Sequence, residues 1–195
     1  MFVTENGSTG ASIDLTPLAD QIHILTACDL LLPSPVQRLD LTGLPCQPIV
    51  THGDGNLVSA TKPAITGEQL VAYAVGLGAT NPPVATGQRA TAASPTTETF
   101  TIDYNYHPNA LPAKPLAFSN TGPPQLAPLY SGLTPGFVGL YQIDFLVLNN
   151  PPVIPACDDA TAVALGASVI QSNLTVSFGG AFSFDGAAIC VAPSS

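Results

Sequence analysis

The sequence predicts an all-β fold, a β-sandwich of short strands joined by long Pro-rich loops, and three observations carry that expectation. Twenty prolines and seventeen glycines are scattered among short apolar runs in 195 residues, without the strict period of collagen. Punctuation of that kind suits many short strands and disfavours long helices. Several runs alternate apolar and polar residues with a period of two, the pattern of a strand with one face buried. Hydrophobic residues make up 46% of the chain and charged residues 9%, a balance that folds a core rather than staying disordered.

Residues 100–107 give the clearest strand: Phe100, Ile102, Tyr104 and Tyr106 share one face, and Thr101, Asp103, Asn105 and His107 the other. That parity assigns Tyr104 and Tyr106 to core packing rather than to a stacking platform. Residues 141–147 put Tyr141, Ile143, Phe145 and Val147 together, and residues 173–178 alternate at every step. Gly179-Gly180 then leads into 181–184 and 189–191, a closing hairpin. Residues 69–75 are apolar on both faces, as in a strand at the middle of a packed sandwich.

The Pro-rich stretches 79–97 and 107–128 are expected to be loops. Residues 15–25 have room for one helical turn, and 160–169 for a short helix that Gly166 would weaken by ~1 kcal/mol. No internal repeat or break in composition demands a second domain, so residues 1–195 are expected to form one.

Composition also excludes function classes. The formal net charge is −9, with Arg38, Lys62, Arg89 and Lys114 as the fixed cations. Four dispersed cations cannot displace the counterions of a phosphate backbone, so nucleic acid is not an expected partner. The same deficit argues against an anionic-membrane patch, and no apolar run approaches the ~20 residues of a membrane helix. No hydrophobic signal segment opens the chain at Met1.

Low lysine content, abundant Thr, Ser, Ala and Pro, and four cysteines point to an exported protein. Cys28, Cys46, Cys157 and Cys190 allow three complete pairings. Neither C-x-x-C nor a zinc-like Cys/His spacing occurs, so structural disulfides are expected, Cys28–Cys46 and Cys157–Cys190. In the chain-entropy model each closure contributes roughly 3–4 kcal/mol.

No catalytic constellation is legible. His23, His52 and His107 are the histidines, and no Gly-x-Ser-x-Gly elbow accompanies them. His52 precedes Gly53-Asp54-Gly55, where a turn is the plain reading. Asp158-Asp159 is an adjacent carboxylate pair, with Asp144 and Asp185 elsewhere, but no calcium-loop spacing exists. Two carboxylates could serve a glycosidase, yet the chain has no tryptophan to stack sugar rings. Asn6 and Asn173 fit the glycosylation acceptor pattern, a short motif that commonly arises by chance. No metal or cofactor is expected.

Two blocks resemble a known module. One is 53–67 (GDGNLVSATKPAITG), continuing through 68–78 (EQLVAYAVGLG); the other is 130–144 (YSGLTPGFVGLYQID). Both are similar to the uncharacterised Solibacter-type C-terminal module, an Ig-like domain of large exported acidobacterial proteins. Its pattern has a "DG-L-S-x-x-N-PA-x-x-G" turn, a "Y-A-T-GLG" strand end and an "AGLAPGFVGLYQVN" turn and strand. The run from Pro135 to Gln142 is the most specific match, and 2–10 (FVTENGSTG) resembles the module's first strand and turn. The likeness covers roughly half the chain in separated blocks. It departs over about 14–46, which looks like an insertion, and again over 105–125.

The resemblance implies an immunoglobulin-like sandwich and an extracellular or cell-surface setting, with no activity to carry over. Gly53, Asp54, Gly55, Pro135, Gly136 and Gly139 are expected to shape turns, and Phe137 to plug the sandwich end. A chain that opens on an internal strand would be a piece of a longer exported protein. The expected function is a secreted, non-catalytic module for adhesion, spacing or self-assembly. Its expected partners are other protein domains or a second copy, and polysaccharide as accessory domain of an exported hydrolase is the alternative.

Overall fold

A computed structural model of the chain describes residues 4–5, 8–9, 22–27, 29, 47–103, 127–147, 174–178, 181–182 and 189–192. Within them every regular element is a strand. These are β1 (Thr4–Glu5), β2 (Ser8–Thr9), β3 (His23–Ile24), β4 (Val50–His52), β5 (Gln69–Val75) and β6 (Ser94–Pro95). They continue with β7 (Thr101–Asp103), β8 (Tyr130–Leu133), β9 (Tyr141–Leu146), β10 (Thr175–Phe178) and β11 (Ala181–Phe182). The described fold is all-β and every strand pair is antiparallel.

The larger sheet has six strands in the order β3-β5-β9-β8-β6, with β4 also pairing with β5. Its axis is the β5–β9 ladder, which matches Gln69 with Leu146 and runs through Ala74 with Tyr141. Period-two alternation then sorts the side chains. Leu70, Ala72 and Ala74 face inward with Ile143 and Phe145, and all five are buried. Gln69, Val71, Tyr73 and Val75 face outward, half-buried or exposed. Residues 69–75 do sit mid-sheet, but only one of their two apolar faces is fully buried, which corrects the expectation of a strand covered on both sides.

A three-stranded sheet, β11-β10-β7, contributes Ile102, Leu174 and Val176 to the same buried cluster as Leu70, Ile143 and Phe145. The polar side of β10 is buried as well: Thr175 and Ser177 are covered, and the Ser177 and Thr101 hydroxyls hydrogen-bond across the ladder at 2.6 Å. That cross-strand pair removes the desolvation penalty an unpartnered hydroxyl would carry.

Strand β10 pairs antiparallel with β11, Phe178 opposite Ala181, in place of the expected pairing of 181–184 with 189–191. Residues 189–191 do not extend it. Instead Val191 bridges Ala64 in parallel, with the Ala64 N–H donating to the Cys190 carbonyl at 2.9 Å and the Ala192 N–H to the Ala64 carbonyl at 2.8 Å. The Pro-rich stretch 79–97 holds edge strand β6 and a Thr80–Thr96 bridge, besides a cis Asn81-Pro82 bond. Pro95 lies where a ladder proline is tolerated, on the outermost strand. The expected helical segments at 15–25 and 160–169 lie, wholly or mostly, outside the described residues, as do Tyr104, Tyr106 and the region 105–125.

Strand β8 contains one residue that must be glycine. The Tyr130 ring folds back over Gly132, and its hydroxyl accepts from the Ser94 N–H and donates to the Leu133 carbonyl, both at 3.2 Å. A Cβ on Gly132 would collide with the Ser94 carbonyl and the Tyr130 phenol. Gly132→Ala should therefore lower unfolding free energy by about 1–3 kcal/mol. In urea titrations the penalty should shrink when Tyr130→Ala is present, a coupling that independent sites would not show.

Candidate functional site

Strand β4 ends on His52, which is only 6% exposed. Opposite Leu70 in the ladder, it shares the inward face, and so does Glu68 two positions earlier. His52 Nδ1 and Glu68 Oε1 lie 2.5 Å apart, and His52 Nε2 donates to the Lys62 carbonyl at 3.1 Å. A carbonyl can only accept, so Nε2 carries a hydrogen, while Nδ1 faces the carboxyl oxygen. The second Glu68 oxygen accepts from the Ile65 N–H at 3.0 Å. Both ring nitrogens and both carboxyl oxygens are thus engaged in tying residues 62–65 to the strands. No ring nitrogen is left to act as a base on a substrate. His52 is a strand residue with a structural bond pattern, where sequence suggested only a turn neighbour.

The turn beyond it is built by Asp54. Gly55 N–H donates to the His52 carbonyl at 2.9 Å, and Gly55 takes φ +82°, a conformation that side chains with a Cβ rarely adopt. Asp54 accepts from the Asn56 N–H at 3.0 Å, from Asn56 Nδ2 at 2.8 Å and from Lys62 Nζ at 2.5 Å. The Lys62 ammonium, then the two Asn56 bonds, hold the Asp54 carboxyl well below the usual carboxylate range. Gly53 opens this turn with no left-handed φ of its own. The whole "DG" block is a loop pinned by polar contacts, with Leu57 and Ile65 exposed at its rim.

The second block forms the tip of the β8–β9 hairpin. Thr134 N–H donates to the Leu140 carbonyl at 2.8 Å, and Pro135 leads into Gly136 at φ +89°, with Gly139 at φ +67°. The tip is also stapled sideways: Gly136 N–H donates to the Ala90 carbonyl at 2.7 Å, and Ala90 N–H to the Phe137 carbonyl at 3.3 Å. Phe137 and Val138 are 55% and 59% exposed, so Phe137 does not plug the core as expected. The bond network fixes the backbone while pointing these two side chains outward. At the base of the hairpin, the Tyr141 hydroxyl donates to the Gly78 carbonyl at 2.5 Å, and burial raises its pKa.

On the outward face of β9, Asp144 lies between Val71 and Tyr130 in the ladder. Its side-chain partner is Gln142 Nε2 at 3.1 Å, and partial burial pushes its pKa up. His23 meets Asp29 at 3.1 Å across a turn, far from these residues in the sheet order. His107, Asp158, Asp159, Asp185, Asn6 and Asn173 lie outside the described residues, as do Cys28, Cys46 and Cys157. Cys190 is buried, and its expected partner Cys157 lies outside the described residues. No group of three metal-binding side chains occurs among the described residues, and no helix there is long and apolar enough to cross a membrane.

Sequence reasoning missed Glu68, Lys62 and Asn56. The signal was available only as spacing: a carboxylate at the start of the strand that pairs back onto His52. Comparison with known proteins found no matching family model, no matching curated protein and no matching solved structure.

Two outcomes follow from this arrangement. His52→Ala strands the Glu68 carboxyl and the Lys62 carbonyl, and should cost about 2–4 kcal/mol in denaturant unfolding. Asp54 has a depressed folded-state pKa, so its contribution is present above the ordinary carboxylate value and is lost as pH falls through the depressed one. Asp54→Asn should therefore melt earlier than the parent at neutral pH, the gap narrowing once pH falls below about 4 and closing further as the depressed pKa is approached.

Proposed function

We propose that this chain is a non-catalytic extracellular or cell-surface module that acts by non-covalent contact, in adhesion, spacing or self-assembly. The observation that carries the reading is the hairpin tip, which holds Phe137 and Val138 in the open on a backbone bonded from two sides. A pre-ordered apolar tip loses little entropy when a partner covers it, which favours contact. The turn chemistry around His52 and Asp54 supports the reading further, because those polar groups bond to the protein itself.

An immunoglobulin-like sandwich is the architecture proposed to present the tip; its support is the single buried cluster fed by both sheets. The likeness of residues 135–142 to an exported module supports the compartment. A disulfide at Cys190, a bond that persists in oxidising surroundings, belongs to the same proposal. Cys157 is its proposed partner, and Cys28–Cys46 the proposed second bond.

An esterase and glycosidase panel, run beside co-sedimentation with insoluble polysaccharides and light scattering of the protein alone, tests the proposal. The expected result is no turnover, with association in at least one assay weakened tenfold or more by Phe137→Ser with Val138→Ser. Turnover on any substrate, or a correctly melting tip variant with undiminished association, overturns it.

A further inference from the structure

The tip carries a charge as well as an apolar pair. Arg89 precedes Ala90, the residue whose N–H and carbonyl staple Phe137 and Gly136, so its side chain issues from the base of the tip. Among the described residues Arg89 has no ion-pair partner, whereas Lys62 is paired with Asp54. In a chain with four cations against thirteen acids, a cation beside an exposed Phe-Val pair selects an acidic, partly apolar surface.

The chain itself has such a surface. Strand parity places Asp144 and Leu146 on the outward face of the large sheet, with Val71 and Tyr130 flanking Asp144. Leu146 is 43% exposed. Asp144 bonds to Gln142 and, among the described residues, has no cation beside it. Its half-buried carboxylate is the counterpart an incoming guanidinium would neutralise.

Within one chain Asp144 lies three residue steps along β9 from Tyr141 at the hairpin's base, roughly 10 Å of extended strand, and no ion pair joins it to Arg89. A second copy would supply the tip that meets it. We infer that the tip formed by Arg89, Phe137 and Val138 docks on the outward face of a second copy of this chain, at Asp144 and Leu146. This rests on the reading of the chain as a contact module, and names its partner. Because the two surfaces differ, the contact is either made twice in a reciprocal, isologous dimer or repeated head to tail as a ring or filament.

Sedimentation velocity and light scattering of the whole chain, across a hundredfold concentration range at low and high salt, test the inference. The expected mass rises with concentration, and less so at high salt as the ion pair is screened. Phe137→Ser, Arg89→Glu and Asp144→Lys should each weaken association at least tenfold while keeping the parent melting temperature. The decisive arm mixes the Arg89→Glu chain with the Asp144→Lys chain. Each alone should stay monomeric, and the mixture should associate, since every contact then pairs opposite charges. A wild-type chain that is monomeric throughout, or a mixture that stays monomeric, overturns the inference. A monomeric chain that binds polysaccharide without turnover removes the second-copy partner and leaves the contact-module reading standing. Turnover removes that reading instead.

Discussion

The antiparallel ladder between β5 and β9 is the constraint on which the described structure depends. It brings residues near position 70 against residues near 145 in six consecutive pairs, and each remaining strand of the large sheet attaches directly or through β8 to this ladder. Its register decides which side chains face the core. A one-residue slip of β9 would send Ile143 and Phe145 outward and bring Gln142 and Asp144 in, and the same slip of β5 would exchange Leu70 for Gln69. Burying Asp144 completely without a cation would oppose that slip, so the same carboxylate that is partly desolvated on the outer face helps to fix the register.

How much of this was legible depended on strand length and on the source of each constraint. Residues 141–147 and 173–178 were read correctly because alternation over six residues is a strong signal, and β9 and β10 match those runs closely. Strand β4 has three residues and β6 two, too few for any period to show. Residues 189–191 carried strand-like side chains, and their actual bridge to Ala64 is a long-range choice that no local pattern encodes. Residues 69–75 misled in a different way. Their apolar outward side suggested full coverage, whereas Val75 and the neighbouring Leu146 are exposed.

The polar contacts were less legible than the strands. Asp54 and Gly55 announced a turn, but the partners that stabilise it, Asn56 and Lys62, are ordinary residues until the loop folds back on itself. Glu68 carries no motif of its own; its parity with His52 appears only once β4 and β5 are paired. Gly132 carried no local signal at all, because the demand comes from the Tyr130 ring and from β6, some forty residues earlier in the chain. Phe137 was misplaced because aromatic character argues for burial, while the tip's two glycines and the Ala90 staple set its direction.

The bridge between Ala64 and Val191 has a consequence for how the protein is made. It joins a loop in the first third of the sequence to residues near position 190, and Ala64 lies fully buried beneath it. A ribosome must therefore synthesise more than 120 further residues after Ala64 before this bridge can form, and closing so long a loop adds entropy that slows the search. Until then the inner side of β5 waits with part of its cover missing. A nascent chain in that state is the form most exposed to chaperones and proteases, and residues 190–192 act as a latch on Ala64.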